Sequence, residues 1–278
     1  SFSTAVSTSL TIGGVSDTYS STTLASDTTP SAFTFTDVTN VALSATQTSN
    51  AITVAGLNTS TSVSISGGTY SKNGGAYTSA NTTAVNGNTF AVRHTSSGSF
   101  STATSCTLNI GGVTDVYTAT TLAADTTPSA FTFTDVSTVA LSTTQTSNAI
   151  TVAGLNTSTS VSISGGTYSK NGGAYTSANT TAVNGNTFAV RHTSSASVST
   201  AVNTTLNIGG VTDIYTSTTL GADTTPNSFT FTDVSNVPNN TEKNVGVQIT
   251  GINVGTTVSR TAGTGTFAVV GISFTPSA

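Results

Sequence analysis

Nine of the ten acidic residues in this 278-residue chain are aspartates, and they fall in three groups. They are Asp17, Asp27 and Asp37; Asp115, Asp125 and Asp135; and Asp213, Asp223 and Asp233, ten residues apart within each group. Clustered carboxylates suit Ca2+, a hard cation that takes about 6–8 oxygen ligands and is common between extracellular modules. The same residues also serve local structure: Asp27 ahead of Thr-Thr-Pro is a turn former, and Asp37 ends a strand. No D-x-D-x-D-G loop is present. The groups are therefore candidates for calcium at repeat junctions, the one cofactor the sequence suggests.

Other reactive side chains are sparse. His94 and His192 follow Arg93 and Arg191. One imidazole per repeat, with no nearby Cys or Glu and no G-x-S-x-G, supplies neither a metal pair nor an activated nucleophile. The histidines are expected at a surface or on an edge strand, no catalytic residue is assigned, and the chain reads as a non-enzyme. Cys106, the single cysteine, has no intrachain partner and is expected to fill space as a small buried hydrophobe; an intermolecular bridge is the other use open to it. Lys72 and Lys170 sit at a hairpin tip, a poor place for a buried Lys–Asn crosslink. Tyr70, Tyr77, Tyr168 and Tyr175 flank that hairpin, either as an aromatic ledge for glycans or as cross-strand packing. N-x-Ser/Thr sequons, among them those at Asn58, Asn81, Asn156, Asn179 and Asn203, are expected by chance in a chain this rich in Asn and Thr.

The scaffold that positions these residues is repetitive. Asp27-Thr-Thr-Pro-Ser-Ala-Phe-Thr-Phe-Thr-Asp37-Val returns at Asp125 and, altered, at Asp223, each 98 residues after the last. Residues 27–124 and 125–222 differ at eleven positions. Only 6% of the residues are charged, helix formers are nearly absent, and Thr and Val abound; β-branched side chains suit a pleated surface, so the chain is expected to be all-β. Phe33 and Phe35 alternate with Thr as strand one. Ala51–Val54, Ser62–Ile65 and Thr69–Ser71 follow, with a tight hairpin at Asn73-Gly74-Gly75. A turn at Asn86-Gly87 leads to Thr89–His94, and strands around a glycine pair at residues 107–120 close the repeat. Seven to eight short strands in such a span read as a two-sheet sandwich of immunoglobulin-like or fibronectin-III-like character.

The ends break the pattern in complementary ways. Residues 1–26 repeat the text of Ser99 to Tyr117, two strands joined at Gly13-Gly14, and so match the close of a repeat. Residues 223–278 open like the others and then diverge without the Leu-x-Ile-Gly-Gly ending; Thr266-Phe-Ala-Val269 echoes Thr89–Val92. The expectation is a linear rod of tandem sandwiches, with orphan closing strands at residues 1–26, complete repeats at 27–124 and 125–222, and an incomplete sandwich at 223–278. Leu10, Ile12, Val15, Tyr19 and Leu24 would fill a neighbouring chain's core at Phe229, Phe231, Val247, Ile249, Phe267 and Val269. This is donor-strand complementation between copies of the chain, head to tail. A fragment cut from a longer tandem array explains the same ends.

Bulk properties narrow the partners. The formal net charge is −4 with no basic patch, which argues against nucleic acid. No run of 18 or more apolar residues is present, which argues against a membrane-spanning helix. The lack of any Met, an initiator included, predicts a processed or excised segment. A mean hydropathy of +0.10 with regularly spaced Val, Ile, Leu and Phe argues for folding rather than disorder. Low charge with many hydroxyls suits an extracellular or cell-surface protein.

The Asp-Thr-Thr-Pro linker, Phe-Thr-Phe-Thr-Asp, Ile-Ser-Gly-Gly-Thr-Tyr-Ser and Val-Arg-His-Thr-Ser-Ser resemble the tandem immunoglobulin-like repeats of secreted or surface-anchored bacterial adhesin and matrix proteins. The resemblance covers the N-terminal segment and both full repeats, and the last domain through about Asn253. It implies an extracellular spacer or matrix role, biofilm matrix included, and carries over no catalytic motif. Three functions follow as expectations: a self-assembling extracellular filament, a stalk segment of a long adhesin, or a carbohydrate-binding accessory module.

Overall fold

A computed structural model describes residues 1–259 and 266. Among them there is no helix, and the chain divides into two compact units, Ser1–Ala124 and Asp125–Ala278. The Thr- and Val-rich stretches become strands, as β-branched side chains favour.

The first unit begins with a hairpin, β1 (Ala5–Ile12) and β2 (Val15–Thr22), paired antiparallel as a two-stranded sheet of its own. Nine strands follow: β3 (Val38–Val41), β4 (Thr46–Thr48), β5 (Ile52–Thr53), β6 (Thr61–Ser66), β7 (Thr69–Lys72), β8 (Thr82–Ala84), β9 (Thr89–Thr95), β10 (Ala103–Ile110) and β11 (Val113–Thr121). One sheet runs β3-β11-β10-β6-β8, with β3 parallel to β11 and the other neighbours antiparallel. The second is centred on β9, with β7 along one edge and β4 and β5 in series along the other. Alternate side chains from both sheets meet in one core of Phe35, Ile52, Val54, Leu57, Val63, Tyr70, Phe90, Val92, Leu108, Ile110 and Tyr117. This is a two-sheet sandwich of the immunoglobulin-like class.

The second unit repeats the arrangement with β12 (Val136–Val139), β13 (Thr144–Thr146), β14 (Ile150–Thr151), β15 (Thr159–Ser164), β16 (Thr167–Lys170), β17 (Thr180–Ala182), β18 (Thr187–Thr193), β19 (Ala201–Ile208) and β20 (Val211–Thr219). Its core uses the equivalent residues, Phe133 and Tyr215 among them.

One expected strand is not a strand. Phe33 and Phe35 do point inward while Thr34 and Thr36 stay exposed, but residues 23–37 pair with no neighbour as a ladder. Side chains stand in for the ladder. The Phe35 N–H donates to Asp115 Oδ2 (2.5 Å), and the Thr36 N–H donates to Asn50 Oδ1 (2.7 Å). The Asn50 amide donates back to the Thr34 carbonyl. Pairing begins at Val38. The expected turn at Asn73-Gly74 is present, with both residues at positive φ (50° and 73°), as a tight hairpin requires.

Candidate functional site

The β1–β2 hairpin is two-faced. Its register sets Ile12 beside Val15, Leu10 beside Asp17 and Thr8 beside Tyr19. These six side chains lie on one face and line a shallow groove. The other face is a hydroxyl ladder: Ser9 Oγ and Thr18 Oγ1 lie 2.7 Å apart, Thr11 Oγ1 and Ser16 Oγ 2.6 Å. The apolar face is exposed, with Leu10 at 65%, Ile12 at 71% and Tyr19 at 74%; Val15 and Leu24 are exposed as well.

The equivalent apolar positions are buried in both sandwiches. β10 and β11 pair Ile110 with Val113, Leu108 with Asp115 and Cys106 with Tyr117, the hairpin's register moved by 98 residues. Leu108, Ile110 and Tyr117 are each 0% exposed, and Leu206, Ile208 and Tyr215 are buried alike. An aspartate in the middle of an apolar face is costly unless it is bonded. In the sandwiches it is: Asp115 and Asp213 accept the main-chain N–H of Phe35 and Phe133. In the hairpin, Asp17 accepts from the N–H of its neighbour Thr18.

Beyond Asp223 the described residues form no strand, yet the opening contacts of a sandwich are in place. The Asp223 N–H donates to Asn253 Oδ1 (2.6 Å), and the Asn227 N–H to the Thr250 carbonyl (2.8 Å). They match the bonds of Asp27 with Asn58 and of Ser31 with Ala55. Phe229 and Phe231 meet edge to face at 6.0 Å, as Phe33 and Phe35 do. Burial is what differs: Phe231 is 53% exposed, its counterpart Phe35 4%. Ile249 and Val258 are exposed and Val247 is half-buried. Phe267 and Val269, expected in the same surface, lie outside the described residues. The two halves of the expected interface thus sit in different units, the hairpin in the first and Phe229 to Ile249 in the second.

Among the described residues, eight of the nine aspartates, all but Asp233, accept main-chain N–H groups. Asp27, Asp125 and Asp223 each accept from the threonine two residues on. Asp37 and Asp135 reach across to Thr118 and Thr216, at 2.7 Å each. Among the described residues no three His, Cys, Asp or Glu side chains converge on a point that would hold a metal ion.

The histidines overturn the expected surface or edge position. Both are 7% exposed, on the central strand of their sheet, inward beside Phe90 and Val92 or Phe188 and Val190. The alternation Phe90, Val92, His94 already carried this signal, because residues two apart share a face. Burial lowers both pKa values, so both rings are neutral at pH 7. In the second unit His192 Nδ1 lies 2.8 Å from Thr204 Oγ1 and Nε2 lies 2.6 Å from Ser217 Oγ. Thr204 gives its own proton to the Gly165 carbonyl, so Nδ1 carries the ring hydrogen and Ser217 donates to Nε2. In the first unit those two positions are Cys106 and Ala119. There both His94 nitrogens, and the Tyr117 hydroxyl, find no hydrogen-bond partner.

Cys106 is buried and its thiol is pushed up to about 11 by burial, which makes it an inert hydrophobe rather than a bridge to another chain. Of the four hairpin tyrosines, two take the packing role. Tyr70 and Tyr168 are buried, their hydroxyls donating to the Ala80 and Ala178 carbonyls. Tyr77 and Tyr175 are half-buried, each ring facing the guanidinium of Arg93 or Arg191 at 3.9 and 3.8 Å. Lys72 and Lys170 donate to the Thr83 and Thr181 carbonyls.

No family model and no curated protein matches the sequence. Among solved structures, the chain is similar to titin domains Z1Z2 in complex with telethonin, at 14% identity and a TM-score of 0.35, covering 70% of this chain and 98% of that one. It is similar to domains 4–9 of the surface layer protein SbsC, at 14% identity and a TM-score of 0.25, covering 82% and 37%. It is also similar to the N-terminal eight Ig domains of Down syndrome cell adhesion molecule, at 10% identity and a TM-score of 0.22, covering 90% and 36%. No helix among the described residues is long and apolar enough to cross a membrane.

Proposed function

We propose that this chain is an extracellular structural protein that assembles head to tail with further copies of itself. The β1–β2 hairpin of one copy closes the sandwich begun at Asp223 of the next. One observation carries the reading: Leu10, Ile12 and Tyr19 are exposed in a hairpin whose register is that of β10 and β11, where the equivalent Leu108, Ile110 and Tyr117 are fully buried. An isolated two-stranded hairpin is marginal in water, and an apolar face aligned for a core gains stability by burial, at about 25 cal/mol per Å2 of apolar surface. The acceptor offers the complement, with Phe229 and Phe231 exposed where the complete sandwiches bury or half-bury theirs. A contact between unlike surfaces does not close on itself, so it propagates into a filament.

Sparse charge and abundant hydroxyls support an extracellular or surface setting. The test is sedimentation and electron microscopy of the 278-residue chain across a concentration series. Concentration-dependent polymers and fibres are expected. A single-chain mass at every concentration, with no fibres, overturns the reading and leaves the near-identical sandwiches as spacers in an adhesin stalk. The carbohydrate-binding reading loses support from the burial of Tyr70 and Tyr168 and the covered rings of Tyr77 and Tyr175.

A further inference from the structure

Two features of the hairpin do more in the complete sandwiches than in the hairpin itself: Asp17 in the middle of its apolar face, which there bonds only its neighbour Thr18, and Gly13, which there serves only the positive-φ turn. The complete sandwiches use both positions. Asp115, equivalent to Asp17, accepts the Phe35 N–H, and Asp37 accepts the Thr118 N–H from the opposite side, so two carboxylates latch the Phe-Thr-Phe segment to β11. Gly111, equivalent to Gly13, sits where a Cβ would come within 2.3 Å of the Thr28 carbonyl, 2.6 Å of Thr61 Oγ1 and 3.0 Å of Pro30 Cδ. Its N–H donates to the Ser62 carbonyl. The same set recurs in the second unit, with Asp213 on Phe133, Asp135 on Thr216, and Gly209 against Thr126, Thr159 and Pro128. In the hairpin, Gly13 has no atom within 4 Å of a Cβ.

We infer that the hairpin seats on a second copy of this chain in one register, fixed by a reciprocal carboxylate latch and a glycine cradle; this rests on the strand-exchange reading above. Asp17 accepts the Phe231 N–H of the acceptor copy, and Asp233 of the acceptor accepts the Ser20 N–H of the donor. Gly13 lies against Thr224, Pro226 and Thr256, the counterparts of Thr28, Pro30 and Thr61. β1 runs antiparallel to the segment from Thr256, with Ile12 opposite Val258 as Ile110 lies opposite Val63. The acceptor positions follow from contacts already made in it: the bonds of Asp223 with Asn253 and of Asn227 with Thr250 fix the alignment on either side. Val258 is exposed whereas Val63 is buried, as an uncovered position requires.

Five variants of the full chain test this by sedimentation and crosslinking. Asp17→Ala leaves an acceptor N–H buried without a partner, and the polymerisation midpoint is expected to rise about tenfold or more. Gly13→Ala and Gly14→Ala both strain a positive-φ position (60° and 85°), but Gly112, the counterpart of Gly14, has no atom within 4 Å of a Cβ. Gly13→Ala is therefore expected to raise the midpoint well beyond Gly14→Ala. For register, directly opposed residues have Cα atoms about 4.5–5.5 Å apart, within reach of a disulfide. Ile12→Cys with Val258→Cys is expected to give a ladder of covalent multimers on oxidation, and Thr11→Cys with Val258→Cys far less. Polymers from the unaltered chain, with Asp17→Ala unchanged, or Gly13→Ala equal to Gly14→Ala, or the ladder in the shifted pair, overturn the seating while strand exchange stands. A monomeric unaltered chain overturns both.

Discussion

At the residue scale, the two near-identical sandwiches are an internal comparison of one buried histidine in two settings. His192 has a hydroxyl on each ring nitrogen; His94 has neither, because Thr204 and Ser217 are replaced by Cys106 and Ala119. A buried polar atom without a partner costs about 1–3 kcal/mol. The first sandwich is therefore expected to be the less stable, and Cys106→Thr with Ala119→Ser to recover about 1–3 kcal/mol by supplying both partners. Hydrogen exchange of peptides from β10 and β19, which differ in sequence, reads the two units separately; equal protection before substitution would contradict the expectation. pH dependence has a definite sign. The folded pKa of both histidines lies below the ordinary 6.5, so the neutral form is the one the fold favours. Their contribution is complete above about pH 6.5 and is lost as pH falls through the window below it. Replacing His94 by Phe removes that acid sensitivity from the first unit, which a melt series from pH 7.5 to 5 measures. The aspartates are tested in the same melts: a chelator that lowers Tm places calcium on them, and an unchanged curve leaves them as main-chain acceptors.

At the element scale, alternation was legible and pairing was not. The inward sets of β6, β9, β10 and β11 follow from period two alone, as do the strands on either side of Gly13-Gly14. The short β4 and β8 carry little apolar signal, Thr46-Gln-Thr48 and Thr82-Thr-Ala84, and no periodicity marks them. The segment at Phe33 and Phe35 misled for another reason. Its faces alternate as a strand's do, but its N–H groups go to Asp115 and Asn50, partners 80 and 14 residues away, which no local pattern encodes. That substitution of side chains for a ladder makes Asp115 a structural residue. Asp115→Ala leaves the Phe35 N–H unpaired beside the core and is expected to destabilise the first sandwich by about 1–3 kcal/mol, with β11 losing protection in exchange. A change within about 0.5 kcal/mol, the size of an ordinary surface substitution, would show that water replaces the carboxylate at no cost. His94 is buried by its position, two residues beyond Val92 on the inward face, although its residue type alone points to a surface.

At the scale of the whole molecule, the repeat period was the most informative signal, and it is informative because it fixes equivalences rather than shapes. Counting by 98 residues pairs Leu10 with Leu108, Asp17 with Asp115 and Gly13 with Gly111. The structure then gives each pair two different environments. A residue's burial is set by what surrounds it, and on the strand-exchange reading the exposed Leu10, Ile12 and Tyr19 gain in a second copy the surroundings that Leu108, Ile110 and Tyr117 already have. The partner itself was not legible, because the sequence beyond Asn253 departs from the repeat that would have named its strands. Assembly should convert one environment into the other. Amides of β1 and β2 are expected to exchange rapidly in the dilute single chain, where a lone hairpin opens readily, and to slow toward the protection of β10 and β11 once polymer forms. Val15 and Tyr19 lie beside Asp17 on the apolar face, so Asp17→Ala should weaken that protection at a fixed concentration while leaving β10 and β11 untouched. Protection that rises with concentration on β1 and β2 but not around Phe229 and Phe231 would mean that hairpins meet one another instead. Such a symmetric contact closes as a dimer and makes no filament.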